Sequence, residues 1–303
     1  MKKLSLLLCI LLVMSAVLVG CNQNPAKSDL NDNQTETFQS QILFNGSSTL
    51  APVIAQISTN FIEEFVTWNK VDASFPEKNV AIYVSAGGSG QGVKSVIDNS
   101  SDFGMVARSV KDAEKEQLTN LKEYKVGIDA LTIAVNPNNA ILKIKDNLTT
   151  EEIVKIFSGE YKNWSDLDPT LPEKEIVVVT RDIGGGAHEV FQSKVMGDAT
   201  VKTDAIQAPS MGALVTKVIE NEYAIGYASF GIVNQNVGKI VTLKVDGVDA
   251  SRENIVDGSY KIQRPLIAIT NHELSTSEQA FIDYMMGEEG LSVVEAMGFV
   301  PAK

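Results

Sequence analysis

Short apolar runs that alternate with amphipathic stretches set the tightest limit on how this chain can fold. Runs at 42–44, 80–84 and 175–180 are followed by helical patterns that begin near Leu50, Gln91 and Ala187, and a further apolar run covers 126–135. The stripe after the first run is the clearest, with Leu50, Val53, Ile54, Ile57, Phe61, Ile62 and Phe65 spaced by three and four. Strands that repeatedly give way to helices imply an α/β chain, with mostly parallel sheets and helices on both faces. Ligands of such sheets sit beyond the carboxyl ends of strands, at the loops that lead into helices.

Three of those loops are rich in glycine or serine. The most specific is Arg181-Asp182-Ile183-Gly184-Gly185-Gly186-Ala187-His188. Glycines at a strand-to-helix junction leave N–H groups bare, the helix start adds partial positive charge, and the arginine adds a planar fork of donors. That combination suits a small oxyanion. Asn45-Gly46-Ser47-Ser48-Thr49-Leu50 is the second loop, in which Ser48 or Thr49 also fits a helix cap. Gly87-Gly88-Ser89-Gly90-Gln91-Gly92 is the third. Alone it is a weak dinucleotide fingerprint or a near miss of a nucleophile elbow, with Gln91 where the second glycine of Gly-x-Ser-x-Gly belongs.

The N-terminus points to export. Lys2 and Lys3 precede an apolar run at 4–17, and Leu18-Val19-Gly20-Cys21 follows at the place of a cleavage site. The pattern resembles a bacterial lipobox, which implies a signal peptide at 1–20 and lipid on Cys21. The apolar run is shorter than the roughly 20 residues of a bilayer-spanning helix. Cys9 would leave with the signal, so no disulfide is expected. Residues 21–40 are polar and read as a disordered tether. Loss of Lys2 and Lys3 leaves 24 basic against 38 acidic side chains, a net charge of −14. Such a surface argues against nucleic acid as a partner, but distant charges are screened within about 10 Å and do not forbid an anion in a cleft.

Enzymatic readings lack the necessary side chains. His188 and His272 are the only histidines, which makes a zinc centre or a Cys-His pair implausible and leaves metal sites and cofactors unexpected. An exported serine hydrolase using Ser89 or Thr49 stays open as an alternative, although no activating base stands out. Thr149-Thr150-Glu151-Glu152 reads as a capping box, and Tyr161 and Trp164 as packing residues.

Taken in order, these loops resemble those of the phosphate-binding lipoproteins that serve the phosphate ABC importer, members of the type II solute-binding fold. The resemblance runs from Ile42 to Lys303 through Gly88-Ser-Gly-Gln-Gly-Val-Lys94, Asp102-Phe-Gly-Met105, Phe157-Ser-Gly159, Ala224-Ile-Gly-Tyr227, Arg264-Pro-Leu266 and Gly298-Phe-Val-Pro301. It implies two α/β lobes, each a mostly parallel sheet flanked by helices, with the ligand in the cleft between them. Lobe 1 would comprise 41–127 and 263–303, and lobe 2 would comprise 128–262. It also implies that Ser48, Thr49 and Leu50, then Ser89, then Arg181, Gly185, Gly186 and Ala187 hold the oxyanion. The implied partners are inorganic phosphate or a similar anion, the importer's permease subunits, and the membrane through the lipid anchor of a monomer. A milder variant of the same fold reports ligand to a sensor.

The departures from the family pattern concern selectivity. Members usually carry Gly-Ser-Gly-Thr where this chain has Gly184-Gly185-Gly186-Ala187. Well-known members also place an aspartate, the acceptor for the proton of hydrogenphosphate, where this chain has Ala107. Arg108 follows and is expected to act as a second cationic clamp, with a surface partnership to nearby acids as the alternative. His188 is a candidate donor from the side.

Overall fold

In the computed structural model, which describes residues 38–302, the apolar runs form strands and the stretches after the glycine-rich loops form helices. The expected signal peptide, Cys9, Cys21 and most of the expected tether lie outside the described residues. Residues 38–40, expected to belong to the tether, are instead tied to the folded part. Phe38 packs against Trp68 with ring centroids 5.7 Å apart and against Phe75 at 5.2 Å, and Gln39 donates to Asp102 and Glu278. One aromatic with two aromatic neighbours is enough to order the end of a polar segment.

Eleven strands form among the described residues: β1 Gln41–Gly46, β2 Ala81–Ala86, β3 Phe103–Val106, β4 Lys122–Val135, β5 Asn147–Leu148, β6 Val177–Arg181, β7 Ile206–Ala208, β8 Ala224–Ser229, β9 Val241–Val245, β10 Gln263–Thr270 and β11 Val300–Pro301. Their main order is β2-β1-β3-β10-β4-β8-β6-β7. Each flank is a parallel set, β2-β1-β3 in the first half and β8-β6-β7 in the second. The antiparallel pairings lie in between, where β10 and β4 run against their neighbours. β4 belongs to both halves: residues 122–130 pair with β10 and 131–135 pair with β8. The chain returns beside that change of partner, where the Leu131 amide donates to Ile262 O at 2.8 Å and the Tyr260 hydroxyl donates to Leu131 O at 2.9 Å.

β3 and β8 are buried along their whole length, as expected of strands covered on both faces. The helix Ser89–Ile97 sits unusually close to the sheet because glycine faces backbone there. A Cβ on Gly92 would lie 2.6 Å from Met105 O, and one on Gly104 would lie 2.5 Å from Gly92 O. This close approach brings the start of that helix down onto the ends of β1 and β3. Among the described residues, no helix is long and apolar enough to cross a membrane.

Candidate functional site

The first loop leaves β1 at Gly46, whose φ of +137° and lack of a side chain let Ser47 turn under β3 and donate its amide to Met105 O at 2.7 Å. Ser47, rather than Ser48 or Thr49, then serves the start of the helix Ala51–Phe65. Its hydroxyl accepts from the Thr49 and Leu50 amides at 3.2 and 3.3 Å. Those two amides, expected to face the anion, are thus engaged within the loop. The side chains of Ser48 and Thr49 are released from capping and are free to face elsewhere.

Arg181 ends β6, 2% exposed, and reaches across to the first loop. Its Nη1 donates to Ser48 Oγ at 3.1 Å. The rest of the guanidinium is fixed from behind: Nε donates to Ala208 O and Asp182 Oδ1, and Nη2 to Asp182 Oδ1 and Pro209 O. Its backbone amide donates to the Tyr227 hydroxyl at 2.9 Å. Gly185 and Gly186 pass so close that a Cβ on Gly185 would meet Arg181 Nη2 at 2.9 Å and one on Gly186 would overlap Ser89. A side chain at Gly186 would run into the buried Ser89, so glycine is required there, whereas one at Gly185 would press on the Arg181 head group and on Asp182. Gly186 and Ala187 open the helix Gly186–Phe191, where first-turn N–H groups have no partner within the helix. Ser89 opens its own helix, is buried, and its Oγ accepts from the Ala107 amide at 3.0 Å. Ser48, Thr49, Ser89, Arg181, Gly185, Gly186 and Ala187 therefore come together from three distant segments.

Arg264 also reaches the cluster, though the sequence reading quoted it only within a family motif and gave it no place in the site. It lies in β10 opposite Asp129 of β4, and both are essentially inaccessible. Nε and Nη2 donate to Asp129 Oδ2 at 3.0 and 2.8 Å, Nη2 also donates to Thr49 Oγ1 at 2.9 Å, and Nη1 donates to Ala107 O at 3.3 Å. Ser229 of β8 donates its hydroxyl to Asp129 Oδ1 at 2.9 Å. Burial pushes the Arg264 guanidinium below its ordinary value, and Asp129 pulls it back up. The legible signal was a lone arginine and a lone aspartate inside otherwise apolar strands, positions that charges rarely occupy unpaired.

Arg108 does not join this cluster as a clamp. Its Nη groups donate to both oxygens of Glu114 at 2.8 and 2.7 Å, and its Nε lies 2.8 Å from Glu189 Oε2, an ionic contact without hydrogen-bond alignment. Lys111 Nζ reaches the same Glu189 oxygen at 2.9 Å. Two carboxylates hold the guanidinium, so the acid partnership describes its geometry. Beside it opens a groove of about 390 Å³ lined by Arg108, Lys111, Glu189, Lys194, Gln263 and Arg264 among others. His188 faces away from the cluster, its Nδ1 within 3.2 Å of Thr180 Oγ1 and 3.3 Å of the Tyr227 hydroxyl. Burial lowers its pKa from the ordinary 6.5, against the pull of Asp182 and Glu189. Burial pushes the Tyr227 hydroxyl up to about 12, so it stays a neutral partner for the Arg181 amide.

The family model of the PBP superfamily domain matches residues 31–289. The phosphate-binding protein PstS of Staphylococcus saprophyticus is 30% identical over 274 residues, which is 86% of this chain and 80% of that protein. Among solved structures, a phosphate ABC transporter substrate-binding protein with bound phosphate from Clostridium perfringens superposes with a TM-score of 0.74 at 29% identity, covering 87% of this chain and all of that one. PstS from Borrelia burgdorferi superposes with a TM-score of 0.56 at 25% identity, covering 88% of this chain and all of that one.

Proposed function

We infer that this chain, which belongs to the PBP superfamily and within it to the phosphate-binding proteins, captures inorganic phosphate outside the cytoplasm and delivers it to an ABC importer. The observation that carries the reading is the convergence of Arg181 with the hydroxyls of Ser48, Thr49 and Ser89, beside the helix starts at Ser89 and Gly186. Helix starts and a guanidinium attract an oxyanion without any covalent step. Hydrogen bonds to a charged group contribute about 1.5–3 kcal/mol each, and micromolar binding needs about 8 kcal/mol. One arginine, three hydroxyls and the first-turn amides of Gly186 and Ala187 are sufficient for that after ordering costs.

Lobe 1 (41–127 and 263–303) and lobe 2 (128–262) close on the ligand, and the importer's permease subunits receive it. Lipid on Cys21 holds a monomer at the outer membrane face of the cell. A hydrolase reading finds no support: Ser89 Oγ faces an amide and Thr49 Oγ1 faces a guanidinium, and neither group can take up a proton. Calorimetric titration of the mature chain with phosphate tests the reading. One molecule of phosphate per chain is expected, weakened roughly ten- to hundredfold by Arg181→Ala with the fold intact. A folded protein that takes up no phosphate would sink it.

A further inference from the structure

Building on the capture reading above, we propose that His188 is a positioning residue for phosphate: its bare Nδ1 accepts the last proton of a hydrogen-bond chain that starts at the Arg181 amide, and so ties the start of the helix Gly186–Phe191 to the end of β6. Those two elements supply the donors of the second half of the molecule, Arg181 on one and the amides of Gly186 and Ala187 on the other. His188 lies in the first turn of that helix, where its own amide donates to Gly185 O at 2.8 Å. Its ring turns away from the anion cluster and into the joint between helix and strand, against Thr180 of β6 and Tyr227 of β8.

The directions of the bonds follow from which atoms can only donate. A backbone amide cannot accept, so the Tyr227 hydroxyl receives the Arg181 N–H at 2.9 Å and has its own proton to give. Burial pushes that hydroxyl up to about 12, so the proton stays on it. Thr180 Oγ1 is its nearest acceptor, at 2.6 Å. Thr180 must then pass its own proton on, and His188 Nδ1 stands at 3.2 Å. A neutral imidazole protonated on Nε2 presents a lone pair there. The chain then runs from the Arg181 amide through Tyr227 and Thr180 to His188 with every proton accepted. A proton on Nδ1 would instead set a third donor against the two hydroxyls and leave Thr180 only Arg181 O, at 3.3 Å. Burial favours the neutral ring, lowering it from its ordinary 6.5, with Arg181 acting the same way and Asp182 and Glu189 opposing. Thr180 and Tyr227 are at most 2% exposed, and Phe191 of the same helix stacks on the Tyr227 ring at 4.2 Å. A bond lost from so dry a joint has no water to replace it.

Nitrogen NMR of the protein labelled at its two histidines reads the ring directly, and the signal lost in His188→Asn identifies His188. Near neutral pH the ring is expected to carry its proton on Nε2 with Nδ1 bare. A proton on Nδ1, or a charged ring, would overturn the proposal. Calorimetric titration with phosphate reads the consequence. His188→Ala removes the acceptor and is expected to weaken phosphate roughly tenfold, whereas His188→Asn, whose Oδ1 can occupy the place of Nδ1, is expected to stay within about threefold of the unmodified protein. His188→Ala binding as tightly as the unmodified protein, or His188→Asn binding as weakly as His188→Ala, would overturn the proposal and leave phosphate capture standing. If His188→Ala does not fold, the NMR signal of the unmodified protein and the affinity of His188→Asn decide the matter. An unmodified protein that takes up no phosphate would overturn the capture reading, and this proposal with it.

Discussion

At the scale of single residues, the buried pair Arg264–Asp129 is the strongest test of how the cluster is held. Both side chains are at most 1% exposed, and Arg264 is the group that fixes Thr49. Removing one charge of such a pair leaves the other buried without compensation, which costs about 3–5 kcal/mol. Asp129→Asn is accordingly expected to lower the unfolding free energy from denaturant titration by that amount, and a loss below about 1 kcal/mol would mean that water screens the pair. Ser48, Thr49, Ser89 and Arg181 were legible because glycine- and serine-rich loops at strand ends advertise an anion site. Arg264 and Asp129 were not, because each is embedded in an apolar run whose hydrophobic pattern dominates the reading. Arg108 looked like a clamp from its place beside Ala107. Glu114 lies six residues beyond it and Glu189 immediately follows the loop from Arg181 to His188, and the fold brings both carboxylates onto the one guanidinium.

At the scale of elements, the alternation of apolar runs with helical stripes placed β1, β2, β4 and β6 to within a few residues, while β3 and β8, which also border the site, were not read as strands. Helix starts were read less well: the second begins at Ser89 rather than near Gln91. Its glycines explain the difference, since they serve close packing against β1 and β3 rather than a nucleotide turn. Gly92→Ala would drive a methyl group onto backbone, 2.6 Å from Met105 O. Because backbone cannot give way as a flexible side chain can, a loss of about 1–3 kcal/mol in thermal or denaturant stability is expected. An unchanged melting curve would show that the helix can slide away from the sheet. Local signals elsewhere translated directly. Thr149 and Glu152 form the reciprocal cap, and Trp164 is buried with its indole N–H on Tyr223 O.

At the scale of the whole molecule, Glu189 ties the two halves together. It sits on the helix Gly186–Phe191 of the second half and contacts Arg108 and Lys111 of the first. Glu189→Gln is expected to accelerate phosphate release several-fold, with the difference shrinking as salt is raised, because exposed parts of the cluster are screened. Stopped-flow dissociation measures both, and equal rates at low salt would refute a holding role. Acid should act on the same cluster through Glu114. Burial pushes its carboxyl up, but hydrogen bonds from Arg108 and the Lys111 amide pull it further down, for a net value below the ordinary 4.5. A carboxyl depressed in the folded state adds stability above its unfolded value and loses it as pH falls through the folded one. Release should therefore quicken only as pH falls below about 4.5 in the unmodified protein, and a profile that stays flat from pH 4.5 down through the acid range in which the protein remains folded would rule this out.

β4 has a consequence for how the two halves can move. Asp129 faces Arg264 on one side and accepts from Ser229 of β8 on the other, two residues before the strand exchanges one neighbour for the next. The fulcrum of any hinge in that strand thus also lies beneath the proposed anion site. A rotation of either half turns Asp129, Asp129 turns Arg264, and the hydroxyl of Thr49 swings with it, so posture and grip are one mechanical variable.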